Sequence, residues 1–394
     1  MMDLFEQARK YLLNIYKPFP IDVDYGKGVY LYDKNGRAYL DFLAGIAVNA
    51  LGYQHPAIQQ ALVKQINRNL HLSNYFIQDV QVELARELVQ QSGLSKVFFS
   101  NSGTEAIEGL LKIVKKWGRE HHKSEIIAFE GSFHGRSLGA LSITMQAKYQ
   151  QSFLPLLPHI KSVPANDAQA FAKAINKNTL AVFYEGIMGE GGVRPISEDL
   201  LNAIYDGRDR FGYLVVADEI QTGVGRTGTF YYYQKRKVMP DAIATAKGLG
   251  GGLPLGAFVL NEKLSSVLKR GEHGTTYGGN PLACATGLAT VKIVKQPEFL
   301  SKILATGQYF KEQLEAFASQ YPAIVKDVRG EGLMLGMEVG EKAPDLMAEC
   351  YKHGLLFNVA GGNTLRFVPP LIVDKTAVDE AITKLHAIFA GIFK

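Results

Sequence analysis

Lys247 ends a short apolar run in "ATAKGLGGG", and glycine occupies Gly248 and Gly250 to Gly252 directly after it. A lysine so placed is either a solvated loop charge or an amine that another part of the chain is built to meet. Asp218 offers a counterpart. In "YLVVADEIQTG" it closes a run apolar enough to be a buried strand, an expensive place for a carboxylate without a cation or donor nearby. A direct salt bridge to Lys247 is the simplest relation, and pairing of Asp218 with a structural arginine such as Arg226 is a plainer alternative. A third feature is "SNSGTEAIEGLLKIVKKW", where Ala106, Ile107, Leu110, Leu111, Val114 and Trp117 mark one face of a helix that begins near Ser102, Gly103 and Thr104. The free N–H groups of a helix start, with its dipole and a threonine hydroxyl, make an anion site. Thr104 with a nearby glutamate also fits an ordinary capping box.

A ligand lying between Lys247 and Asp218 would give all three features one purpose. Pyridoxal phosphate has that shape: an aldehyde that joins a lysine amine, a ring nitrogen that needs an acid, and a phosphate that needs an anion cradle. The glycines after Lys247 would then leave room for the lysine and the incoming cofactor. An aromatic ring over the pyridine is expected, and "EGSFHGRSLG" offers Phe133 and His134, either of which is equally readable as core. Gly223, Gly225 and Gly228 form a formal G-x-G-x-x-G, yet they do not directly follow a strand and "TFYYYQKR" beyond them is no apolar helix, so a dinucleotide fold is disfavoured.

Positioning these groups requires a sheet. The runs "KVFFS", "EIIAF", "LAVFYE", "YLVVADE", "AIATA" and "GAFVL" alternate with helical patterns, which implies an α/β architecture with a mostly parallel sheet covered on both faces. Ligands of such sheets gather at the carboxyl ends of the strands. Before it, "GVYLYDKNGRAYLDF" reads as a hairpin about Asn35-Gly36, a dipeptide suited to a type I′ turn. After it, a long helix, the runs "GLMLGMEV", "GLLFNV" and "TLRFV", and a closing helix from about Ala377 suggest a smaller α+β unit that the hairpin joins. The expected division is 1–56 with the small unit, 57–295 as the large domain and 296–394 as the small one.

Composition narrows the function classes. The chain has 394 residues, 47% of them apolar, and no run long and apolar enough for a membrane span, which sets the expectation of a soluble protein that acts away from membranes. A net charge of +5 is spread among acids without a basic block, so nucleic acid is not the expected partner and small anions are. Cys284 and Cys350 lie far apart and give neither a disulfide framework nor metal-ligand spacing. "MMDLFEQARKYLL" lacks the basic patch and apolar core of a signal, and a cytoplasmic location is expected.

Taken in order, "YLDFLAGIAVNALGYQHP", "NSGTEAIE", "FHGRSLGALS", "GEGGVRP", "DEIQTGVGRTG", "AKGLGGGLPLGA", "HGTTYGGNPLA", "VRGEGLMLGME" and "LRFVPPL" resemble the class III, ornithine-type aminotransferases over nearly the whole chain. That family has the fold type I of pyridoxal-phosphate enzymes. The resemblance implies that Lys247 carries the cofactor, Asp218 partners its ring nitrogen, Gln221 its phenolic oxygen, and Phe133 stacks on the ring, with Ser102, Gly103 and Thr104 at the phosphate. It implies a homodimer in which Thr276 touches the phosphate of the partner's site and Thr275 the substrate. Arg136 would bind a carboxylate of an acylated amino acid and Arg366 the α-carboxylate of glutamate or 2-oxoglutarate. Glu185 would pair with Arg366 while the ω-amino donor is bound. The implied activity moves the ω-amino group of N-acetylornithine to 2-oxoglutarate, as in arginine biosynthesis. Ornithine, succinylornithine, 4-aminobutyrate or acylated lysine as donor, or a catalytically silent cofactor-binding protein, are the alternatives. The chain departs from the family pattern at Gly186, where proline is usual, at Met188 and at Ile107; Gly186 is expected to loosen the backbone after Glu185.

Overall fold

Seven strands make the central sheet of the computed structural model, which describes residues 4–393. They are β1 (Lys96–Ser100), β2 (Glu125–Phe129), β3 (Ile160–Val163), β4 (Thr179–Glu185), β5 (Leu214–Asp218), β6 (Ala242–Thr245) and β7 (Gly256–Leu260). Their spatial order is β1-β7-β6-β5-β4-β2-β3. β7 runs antiparallel to both neighbours and every other pair is parallel. β4 to β7 are buried along their whole length, which is why they read as unbroken apolar runs rather than as alternation. The helix Gly103–Glu120 lies across β6 and β7 and buries the apolar face that its periodicity announced.

The strands Val23–Lys27, Tyr30–Asp33 and Ala38–Asp41 form an antiparallel meander, and Leu355–Leu356 joins its last strand in parallel, so the two ends of the chain share one sheet. The hairpin is present but is not a type I′ turn. Only Gly36 of the dipeptide has a positive φ, at 78°, because Asp33 Oδ1 accepts the N–H groups of Asn35 and Arg37 and shapes a longer turn. A second antiparallel sheet orders Asp327–Glu331, Met334–Glu338, Thr364–Phe367 and Asn358–Ala360. Arg366 sits in its interior, opposite Gly336 on one side and Asn358 on the other.

Candidate active site

Strand register brings the chemistry together. Glu185 pairs with Asp218 across β4 and β5, and Asp218 with Ala244 across β5 and β6, so both acids and Lys247 just beyond β6 stand at one level. These are carboxyl ends of parallel strands, where such sheets hold ligands. A cavity of about 510 Å³ opens there, lined by Ser102, Gly103, Thr104, Phe133, Arg136, Glu185, Asp218, Gln221 and Lys247, and also by Val48, Asn101, His134 and Glu190.

Lys247 opens a single 3₁₀ turn, Lys247–Gly250, with φ at 47°. A side-chain-bearing residue in that left-handed region costs roughly 1–2 kcal/mol, a strain that functional positions tolerate. Burial lowers its amine to about 8, against the opposing charge of Glu190. No ion pair joins Lys247 to Asp218 among the described residues, so the direct salt bridge is absent. Two of the glycines answer to the scaffold. A Cβ at Gly251 would stand 2.5 Å from Thr290 Oγ1 on the helix Pro281–Val294, and one at Gly250 would stand 3.3 Å from Leu255. Gly251 and Gly252 also hold positive φ, at 59° and 107°. At Gly250 and Gly251 the scaffold itself excludes a side chain, whereas Gly252 lines the cavity and a Cβ at Gly248 would meet only ordinary contacts.

Asp218 is 3% exposed and meets His134, whose Nδ1 lies 2.7 Å from its Oδ2, while its Oδ1 accepts Ile220 N–H at 3.0 Å. Burial opposes a charge on His134, but the hydrogen bond and charge of Asp218 outweigh it and hold the imidazole above its ordinary value. His134 is therefore part of the site, joined to Asp218 in a partnership that only the dipeptide Phe133-His134 hinted at. Arg226 takes no part in it. It donates instead to the carbonyls of Leu333 and Pro369. Gly225 and Gly228 pack where a Cβ would strike Val294 and Leu304, which disposes of the dinucleotide fingerprint.

At the helix start, Ser102 is the cap, its Oγ accepting Glu105 N–H at 3.3 Å, and Glu105 reaches back to Asn101 N–H at 2.8 Å. The cap expected from Thr104 is thus moved to Ser102, which frees Thr104 for the cavity. Its Oγ1 lies 3.0 Å from Ser137 Oγ, and the N–H groups of Gly103 and Thr104 meet no acceptor among the described residues. Two free amides at the positive end of an 18-residue helix are a ready anion cradle.

The second arginine brings the main correction. Arg366 is 0% exposed, and its Nη1 lies 2.6 Å from Glu190 Oε1 and 3.2 Å from Gln221 Oε1, with Nε on Asn358 Oδ1 at 3.0 Å. Its partner is Glu190, not Glu185. Glu185 is turned to backbone N–H groups, of Phe133 at 2.8 Å and Gly189 at 3.1 Å, and burial pushes its carboxyl up to about 7. Burial opposes the Glu190 charge too, yet Arg366 and Lys247 together hold that carboxyl below its ordinary value. Gly186 does not loosen this segment: a Cβ there would stand 2.1 Å from the Tyr232 ring, and Ile187–Met188 is held in a two-stranded ladder. Ile107 and Met188 are simply buried.

Arg136 stacks on Tyr149 with its guanidinium 3.8 Å from the ring centroid, and no carboxylate meets it among the described residues. Thr275 and Thr276 lie outside the cavity on a loop where Thr276 is exposed and Thr275 Oγ1 accepts from Asn101 at 3.3 Å. Val48 of the cavity wall follows a left-handed turn, Ala44 to Ala47, whose φ values run from 51° to 66° and which Asp41 anchors by accepting Leu43 and Ala44 N–H. Nothing in the sequence pattern of "GIAVN" marked that turn.

Free amides, a desolvated lysine amine and a buried carboxylate fit the three ends of pyridoxal phosphate. Arg366 Nη2, a buried donor with no partner among the described residues, fits a carboxylate brought beside it. Fold and site define an α/β enzyme that handles amines and carboxylates around one reactive lysine. The family model "Aminotransferase class-III" matches residues 12–389, and the chain belongs to that family. It is 43% identical, over 98% of both chains, to the acetylornithine aminotransferase of Caldanaerobacter subterraneus subsp. tengcongensis. Among solved structures, the N-acetylornithine aminotransferase of Stenotrophomonas maltophilia K279a superposes with a TM-score of 0.85 at 31% identity, covering 98% of this chain and 99% of that one. The ornithine aminotransferase of Toxoplasma gondii, a structure with partial occupancy of PLP at its active site, gives 0.94 at 30% identity over 98% and 93%.

Proposed function

We propose that the chain transfers the ω-amino group of N-acetylornithine to 2-oxoglutarate, giving N-acetylglutamate 5-semialdehyde and glutamate, with pyridoxal phosphate as cofactor. Ser102, Gly103 and Thr104 would hold the phosphate, Asp218 the ring nitrogen, Gln221 the phenolic oxygen, Phe133 the ring face and Lys247 the aldehyde. When bound, the cofactor supplies a carbonyl for the substrate's amine and a ring that accommodates the electron pair left by a departing proton. Lys247 does the proton work. With its amine near 8, the neutral form at pH 7 is about a hundredfold or more better populated than for an ordinary lysine, and Nζ could take the proton from the amine-bearing carbon of the donor and deliver it to the carbon that was the cofactor's aldehyde. Asp218, held by His134 and Ile220 N–H, would be the acid partner of the ring nitrogen.

Arg136 would bind the carboxylate of the acylated donor, and Arg366 the α-carboxylate of 2-oxoglutarate. Glu190 lines the cavity in front of Arg366 and neutralises it while an amine-bearing chain is present; a dicarboxylate displaces it. A homodimer is part of this reading, with Thr275 and Thr276 serving the partner's cavity, as exposed Tyr75, Phe76, Ile77 and Tyr277 support. So is a division near residues 56 and 295, supported by the pairing of Leu355–Leu356 with Leu40–Asp41. A cytoplasmic setting fits two buried, unpaired cysteines.

The observation that carries the proposal is Arg366 closed off by Glu190 beside the cavity that holds Lys247. Glutamate formation from 2-oxoglutarate with a panel of amines tests it. N-acetylornithine should be the best donor, and parity with 4-aminobutyrate would overturn the named substrate.

A further inference from the structure

Arg226 is 2% exposed, has no acidic partner among the described residues, and spends its guanidinium on two carbonyl oxygens, Leu333 O at 3.1 Å and Pro369 O. Its own carbonyl accepts Leu333 N–H at 3.0 Å. A buried cation met only by carbonyls is costly unless the arrangement secures something. The register shows what lies there. Leu335 is the last residue to pair with Phe367 in the ladder between Met334–Glu338 and Thr364–Phe367, so Leu333 and Pro369 face each other just past its end. Proline has no N–H and cannot supply the next ladder bond. Arg226 supplies the missing donors from outside the sheet, and its main chain takes up the N–H of Leu333. This clip ties the loop that follows β5, which bears Gln221, to the strand that bears Arg366, whose Nη1 stands 3.2 Å from Gln221 Oε1.

We propose that Arg226 is a positioning residue for Arg366: by closing the end of the ladder it fixes the depth at which the Arg366 guanidinium faces the cavity. A planar guanidinium spans two carbonyls at once, which a lysine cannot reproduce in full. The inference rests on the assignment of Arg366 to 2-oxoglutarate.

The test uses the cofactor-loaded enzyme and the variants Arg226→Met, Arg226→Lys and, as a control on the underlying assignment, Arg366→Lys. Glutarate, an unreactive dicarboxylate, is titrated by calorimetry, and KM is measured separately for 2-oxoglutarate and N-acetylornithine. Arg226→Met should weaken glutarate binding and raise KM for 2-oxoglutarate by about tenfold or more, the scale on which small misplacements of a binding group act. KM for N-acetylornithine should stay within about twofold, and Arg226→Lys should recover part of the loss. Amide exchange at Leu333 should quicken in both variants. An equal rise in both KM values, or unchanged glutarate binding, overturns the proposal. If Arg366→Lys itself spares glutarate, the assignment of Arg366 fails instead. Should Arg226→Met not fold, the lysine variant decides: its glutarate affinity must fall below that of the parent.

Discussion

Glu190 Oε1, on the wall of the cavity, stands 2.6 Å from Arg366 Nη1, so the arginine proposed to bind the α-carboxylate is closed by an internal anion. Glu190→Gln removes that anion while keeping the shape. The variant should bind 2-oxoglutarate and glutarate several-fold more tightly and should admit glutamate as a competing donor against N-acetylornithine. Steady-state KM values for both substrates check this; a weakened 2-oxoglutarate KM would contradict the gating role.

With Lys247 as the proposed attachment point, its amine should set the pH at which the empty enzyme takes up its cofactor. Its folded-state amine near 8 lies below the ordinary lysine value, so the reactive neutral form accumulates as pH rises through about 8 rather than above 10. The rate of absorbance change on mixing apoenzyme with pyridoxal phosphate should therefore rise through a midpoint near pH 8. A midpoint above about 10 would show an amine in water.

Glu219, beside Asp218, is 2% exposed, and burial pushes its carboxyl from 4.5 up to about 7 despite hydrogen bonds from Thr222 Oγ1 and Tyr233 N. Because the folded-state value is raised, the unfolded chain releases this proton first, and Glu219 costs stability as pH climbs from 4.5 to 7. Glu219→Gln should gain on the parent across that window, by up to about 3 kcal/mol, a trend that calorimetric Tm values at pH 5 and pH 8 would show. A constant difference would refute the buried-acid account.

Gly186 and Tyr232 share one space. Adding a Cβ at Gly186 would overlap the Tyr232 ring at 2.1 Å, so Gly186→Ala should cost about 1–3 kcal/mol. In Gly186→Ala with Tyr232→Ala the two losses should fall short of their sum, measurable as a coupling by denaturant titration. Strict additivity would mean that the backbone there is free to yield.

What the sequence disclosed follows from where each signal resides. Fully buried strands such as β4 and β5 announce themselves as apolar runs, and Asp218 and Lys247 were located because polarity breaks at the carboxyl ends of such runs. The edge strand β3 carries Lys161 and Ser162 and gives no such signal. Glu185 and Glu190 lie close in sequence, and spacing cannot say which turns to Phe133 N–H and which to Arg366. Glycine runs have the same ambiguity: composition shows that a side chain is excluded, and only packing shows that Thr290, not a cofactor, excludes it at Gly251. His134 was visible as a residue but not as the partner of Asp218, because that pairing exists only across the folded sheet.

The central claim is that Lys247 is the residue to which pyridoxal phosphate is joined. Borohydride reduction of the cofactor-loaded enzyme, followed by digestion and peptide mass spectrometry, tests it most directly. A pyridoxyl group on the peptide containing Lys247, and none at all in Lys247→Ala, is the predicted result. A label on another lysine, or an unlabelled parent enzyme, would contradict the account.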